Sequence, residues 1–136
     1  YMFKARRDKS NILKVFNLQL KDFLNFVSSI FPKSDDIITL KKIVETFCKF
    51  NPVKIMEVWH YYIATPYSDL IEKGDFNYFE NKNYASDVKD LKGNAEYVLK
   101  SFNKLRSSIS SLDNNKKMMA MKYTQILTKL ANAYYS

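Results

Sequence analysis

The sequence predicts an all-α, single-domain bundle of about five to seven helices that ends in a long antiparallel helical hairpin. Three observations carry this. Apolar residues recur at steps of three and four along most of the chain, the signature of helices packed on one side. Only two glycines and three prolines occur, too few for the many tight turns of a sandwich or barrel. The 136 residues, 46% of them hydrophobic, suit one domain with one core.

The first helix is expected from about Asn11 to Phe31, with Ile12, Leu13, Phe16, Leu20, Phe23, Leu24, Val27 and Ile30 on its inner side. Pro32 stops it, because the residue before a proline resists helical angles. Residues 1–10 precede that stripe and read as a basic N-terminal arm. The start at Tyr1, ahead of Met2, points to residues missing upstream or to a tag remnant.

A second helix opens at Ser34 or Asp35, where a capping side chain and the acidic Asp35 and Asp36 suit a positive helix end. Its stripe is Ile37, Leu40, Ile43, Val44 and Phe47. Asn51-Pro52 reads as a cap followed by the first residue of a third helix, which carries Val53, Met56, Trp59 and Ile63. Thr65-Pro66 repeats the signal and opens a short helix closed by Gly74. Asp75 caps one more turn with Phe76 and Phe79. Residues 81–92 are polar and read as a loop with a short helix.

Gly93-Asn94 starts a long helix with Val98, Phe102, Leu105, Ile109 and Leu112 inward. After Asp113-Asn114-Asn115 comes a last helix, with Met119, Tyr123, Ile126, Leu130 and Ala133 in the same alternation. Two such stripes across so short a break predict a hairpin (93–136) with coiled-coil-like packing.

The net charge of +8 is uneven. Residues 1–32 hold six basic side chains against two carboxylates, a balance of +4; residues 33–92 hold nine against ten, −1; residues 93–136 hold seven against two, +5. Packed together, the two ends would offer one positive surface to phosphates or acidic proteins: Lys4, Arg6, Arg7, Lys100, Lys104, Arg106, Lys116, Lys117, Lys122 and Lys129. The competing reading is plain solvation of outer helix faces, since Lys, Asn, Ile, Tyr and Phe share A/T-rich codons.

Cys48 is the only cysteine, so no internal disulfide forms and a reducing, intracellular setting is expected. Its neighbours Phe47 and Phe50 point to an inert packed thiol. His60 is the only histidine, and its distance from Cys48 fits no zinc spacing. Neither glycine belongs to a phosphate-binding loop, and no serine sits in a nucleophile elbow. The carboxylate pairs Asp35-Asp36, Asp69 with Glu72 and Asp87 with Asp90 are explained by capping or solvation. The expectation is a protein that is not an enzyme, with no catalytic residue, metal or cofactor. No apolar run approaches the ~20 residues of a membrane-spanning helix, so no membrane insertion is expected.

Val58 to Tyr67 concentrates one Trp and three Tyr before a proline turn. Trp59 lies on the Met56–Ile63 stripe and is read as core. Tyr61, Tyr62 and Tyr67, with Met118 and Met121, form a candidate protein-partner surface: Met118, Met119 and Met121 cannot all face one core.

With Asn51-Pro52 through Trp59, Thr65-Pro66-Tyr67, Glu72-Lys73-Gly74-Asp75, Phe79 and Asn83-Tyr84, most of the chain resembles short helical proteins of nucleocytoplasmic large DNA viruses, those of mimivirus-like and algal viruses. The resemblance implies a virus-encoded cytoplasmic or virion protein and carries no functional residue onto these positions. The first functional reading is therefore a non-enzymatic protein-binding or structural module, a component of a virion or virus-encoded assembly. The alternative is a nucleic-acid-binding accessory protein without sequence specificity, using the basic termini.

Overall fold

A computed structural model describes residues 2–80 and 92–136, with only the helical backbone of residues 2–7. Among the described residues there are seven α-helices and no strand: α1 (Met2–Ile30), α2 (Asp35–Phe50), α3 (Lys54–Trp59), α4 (Thr65–Lys73), α5 (Asn77–Glu80), α6 (Gly93–Ser110) and α7 (Asn114–Tyr134). A π-helical turn, His60–Ala64, joins α3 to α4. The expected loop at 81–92 falls almost wholly outside the described residues.

The expected all-α bundle is what forms, around a single core. Phe16, Leu20, Phe23, Leu24 and Val27 of α1 are buried, as their spacing predicts. So are Ile37, Leu40, Ile43 and Val44 of α2, whose N-cap Ser34 accepts the Ile37 N–H at 3.4 Å. Trp59 stands at the centre. Its ring meets Phe16 and Phe102 edge-on at 6.3 and 5.2 Å, and its Nε1–H donates to Thr128 Oγ1 at 3.0 Å.

Four expectations are corrected. The first helix begins at Met2, not Asn11, so the basic segment is helical backbone and not an arm. Asn51 ends α2 and does not cap α3; Pro52 lies in the intervening turn, and Val53 is the N-cap of α3. At Thr65-Pro66 the chain never leaves helical angles, because the π turn absorbs the proline. A proline ring collides with the carbonyl four residues back and offers that carbonyl no donor. Widening the turn so that Thr65 N–H bonds His60 O relieves this, and Thr65 Oγ1 donates to the same carbonyl at 2.8 Å. Tyr67 (φ −116°, ψ 17°) takes up the remaining kink.

The fourth correction concerns the hairpin. α6 and α7 are joined by a short turn, with Asp113 Oδ1 capping α7 through Lys116 N–H at 2.9 Å. Yet their stripes do not zip together: α7 packs chiefly along α1, and α6 against α2, α5 and α3. The Trp59 segment separates them, touching Phe102 on α6 and Thr128 on α7. α1 and α7 run antiparallel, since Tyr123 stacks on Phe23 at 5.2 Å while Lys9 Nζ lies 5.4 Å from the Tyr134 ring.

Gly74 closes α4 in the left-handed conformation (φ 67°), where a side chain would be strained. Its N–H and that of Asp75 satisfy the last carbonyls, and Gln125 of α7 donates to Ile71 O at 3.0 Å. Asp75 Oδ1 then accepts Asn77 N–H at 2.9 Å, the expected cap of the next turn.

Candidate functional site

Of the ten basic residues proposed as one surface, two are withdrawn into the fold. Arg106 is 2% exposed. Its Nε and Nη2 donate to Tyr78 O at 2.9 and 2.6 Å, and its Nη1 to Asn103 Oδ1 at 3.4 Å. The guanidinium lies between the rings of Tyr67 and Tyr78, 4.4 and 4.2 Å from their centroids. It fastens the Tyr78 carbonyl of α5 to α6. Lys117 is buried too, its Nζ 2.7 Å from Glu80 Oε1. Both residues leave the proposed basic surface for the same reason: α5 must be fastened to α6 and α7.

Three more of these cations are exposed but paired: Lys100 with Glu96 (2.8 Å), Lys104 with Asp36 (3.5 Å) and Lys116 with Asp113 (3.7 Å). Lys122 and Lys129 make no ion pair among the described residues, and they sit two turns apart on α7. The side chains of Lys4, Arg6 and Arg7 lie outside the described residues.

The partner surface is also redrawn. Met121 is 3% exposed and belongs to the core, whereas Met118, Met119 and Ile126 are 51%, 48% and 41% exposed. Of the expected inner stripe of α7, Met119, Ile126 and Ala133 thus face outward, while Tyr123 and Leu130 pack half-buried against the core. The buried side is Lys117, Ala120, Met121, Thr124, Leu127, Thr128 and Ala131. Small residues at these steps let α7 sit close on α1 and accept the Trp59 indole. That heptad phase was present in the sequence, hidden by the larger apolar residues beside it. Met119, Lys122, Tyr123 and Ile126 line a shallow depression of about 330 Å³. Tyr123 stacks on Phe23, and Phe26 approaches it at 6.0 Å, so the depression abuts α1.

The aromatic segment divides. Tyr67 is held against Tyr78 and Arg106, and Tyr62 is half-buried, so neither is a free contact. Tyr61 alone is well exposed. It meets His60 and Tyr135, and His60 stacks on Tyr135 at 4.6 Å while its Nδ1 lies 3.0 Å from Asn132 Oδ1. These rings pack on one another, fastening the π turn to the end of α7. Burial and neighbouring Glu57 push the Tyr135 phenol up to about 12.

Cys48 is half-buried, and burial pushes its thiol up, against the opposing pull of Lys21. Among the described residues no three His, Cys, Asp or Glu side chains converge as metal ligands, and no helix is long and apolar enough to cross a membrane. Compared with known proteins, the chain matches no protein family, no curated protein and no solved structure.

Proposed function

We propose that the chain is a non-enzymatic helical module that binds another protein through the outer face of α7. One observation carries this reading: α7 buries Met121 and Leu127 among threonines, alanines and a lysine, while Met118, Met119 and Ile126 face solvent around Tyr123. Flexible methionines beside a fixed aromatic ring make an adaptable apolar contact. The finer reading, a component of a virus-encoded assembly, rests on the resemblance given above. The nucleic-acid reading is weaker, because Arg106 and Lys117 are structural and three further lysines are paired.

The test is a comparison of bound proteins for the wild type, Met119→Gln/Ile126→Gln and Lys122→Gln/Lys129→Gln, captured from the cells that make it and quantified after crosslinking. A partner lost only with the first variant supports the reading. Capture that depends on the lysines and vanishes with nuclease would replace it by nucleic-acid binding.

A further inference from the structure

On another side of α1 lies a groove that the sequence did not single out. Two adjoining depressions, of about 320 and 140 Å³, follow the seam between α1 and α2 and share Lys21. Their α1 lining runs from Ser10 to Asn25, roughly 22 Å at 1.5 Å rise per residue. Leu13, Leu24, Val44 and Cys48 give an apolar floor. Around it stand Lys14, Lys21 and Lys41 against a single carboxylate, Glu45. Among the described residues none of these three lysines has an ion-pair partner, in contrast to Lys100, Lys104, Lys116 and Lys117.

A further group in the groove lacks a partner. Asn17 Nδ2 donates to Pro52 O at 3.3 Å, which fixes the amide orientation and leaves its buried Oδ1 with no donor. Such an acceptor is costly unless something supplies an N–H.

From this we infer that the α1–α2 groove docks an acidic amphipathic helix of a partner protein. The length suits about fifteen residues of helix. An extended strand is a poorer fit, because both walls are helices whose backbone groups are already bonded, so only a segment that satisfies its own backbone suits an apolar floor. Aspartates or glutamates flanking its apolar stripe would meet Lys14, Lys21 and Lys41. The inference extends the protein-binding reading to a second, separate face.

A displayed library of 16-residue peptides, selected on the intact protein, tests it. Selected peptides should carry apolar residues three and four apart flanked by carboxylates. Lys14→Glu/Lys21→Glu should weaken them about tenfold or more, the loss shrinking in high salt. Leu18→Glu, at an exposed position on the rim, should weaken them likewise. Met119→Gln/Ile126→Gln should leave them unchanged. The inference is overturned if nothing is selected, if the selected peptides are neutral or basic, or if charge reversal leaves their affinity intact. Peptides sensitive only to Met119→Gln/Ile126→Gln would sink the groove and sustain the α7 face. Displacement by a 20-nucleotide single strand in place of loss with Leu18→Glu would mark the lysines as a polyanion site.

Discussion

Replacing Arg106 by Met separates a structural cation from a surface one. The change removes two donors from Tyr78 O, at 2.9 and 2.6 Å, and one from Asn103 Oδ1 at 3.4 Å. Hydrogen bonds from a charged donor contribute about 1.5–3 kcal/mol, and the two to the carbonyl of Tyr78 supply most of that here. Loss of the cation from between two tyrosine rings adds about 1 kcal/mol for each. Methionine refills part of the volume and spares the desolvation of a charge, which lowers the net cost to about 2–4 kcal/mol. Unfolding entropy of about 2.1 cal/mol/K per residue over 136 residues gives about 0.29 kcal/mol/K, so the melting temperature should fall by about 7–14 °C. Calorimetry or a circular-dichroism melt measures this. Lys104→Gln is the control: its pair with Asp36 is exposed at both ends, so the shift should stay below about 3 °C. An Arg106→Met protein that melts within about 2 °C of the wild type, or that keeps its melting point while losing oligonucleotide affinity, would refute the reasoning.

Three further outcomes are expected. Met119→Gln/Ile126→Gln should change unfolding free energy by no more than about 0.5 kcal/mol, whereas Met121→Gln should cost about 2–4 kcal/mol in urea titration, because only Met121 is enclosed. Alkylation of Cys48 by iodoacetamide should show its half-point above that of a free thiol; Lys21→Gln should raise it further and Glu45→Gln lower it, as measured by rate against pH. Tyr135 is held neutral in the fold with its phenol at about 12, against about 10 unfolded. The folded state therefore binds the proton more tightly, so its contribution is whole below pH 10 and lost as pH rises toward 12. The urea midpoint should fall less steeply over that range in Tyr135→Phe than in the wild type.

Where the apolar residues of a helix are few and large, the sequence was a reliable guide. Ile37, Leu40, Ile43 and Val44 could face only one way, and Ser34 with Asp35 marked their start. Gly74 and Asp75 were legible for a different reason: left-handed backbone and a short carboxylate cap each suit few residue types. The basic surface was legible only as composition. Counting charges cannot separate Lys104, exposed beside Asp36, from Lys117, enclosed with Glu80 thirty-seven positions away. Nor could spacing foresee that Arg106 would close the end of a four-residue helix, because that contact exists only after α5 folds back on α6.

The reversal of α7 has a meaning of its own. Met118, Met119, Met121, Tyr123, Ile126, Leu127 and Leu130 lie nearly all round this helix, so size alone offered a stripe of Met119, Tyr123, Ile126 and Leu130. The fold uses the neighbouring phase. Thr128 is needed to receive the Trp59 N–H, Lys117 to meet Glu80, and Ala120, Thr124 and Ala131 to bring α7 close to α1. Each of these demands is for a small or polar group at a defined place, and together they fix which side faces inward. They say nothing about the other side, where stability would be served as well by Lys or Gln as by Met119 and Ile126. Methionine and isoleucine on that face are therefore not demanded by the packing of α7, which is why the proposed partner contact is tested there and not on the buried side.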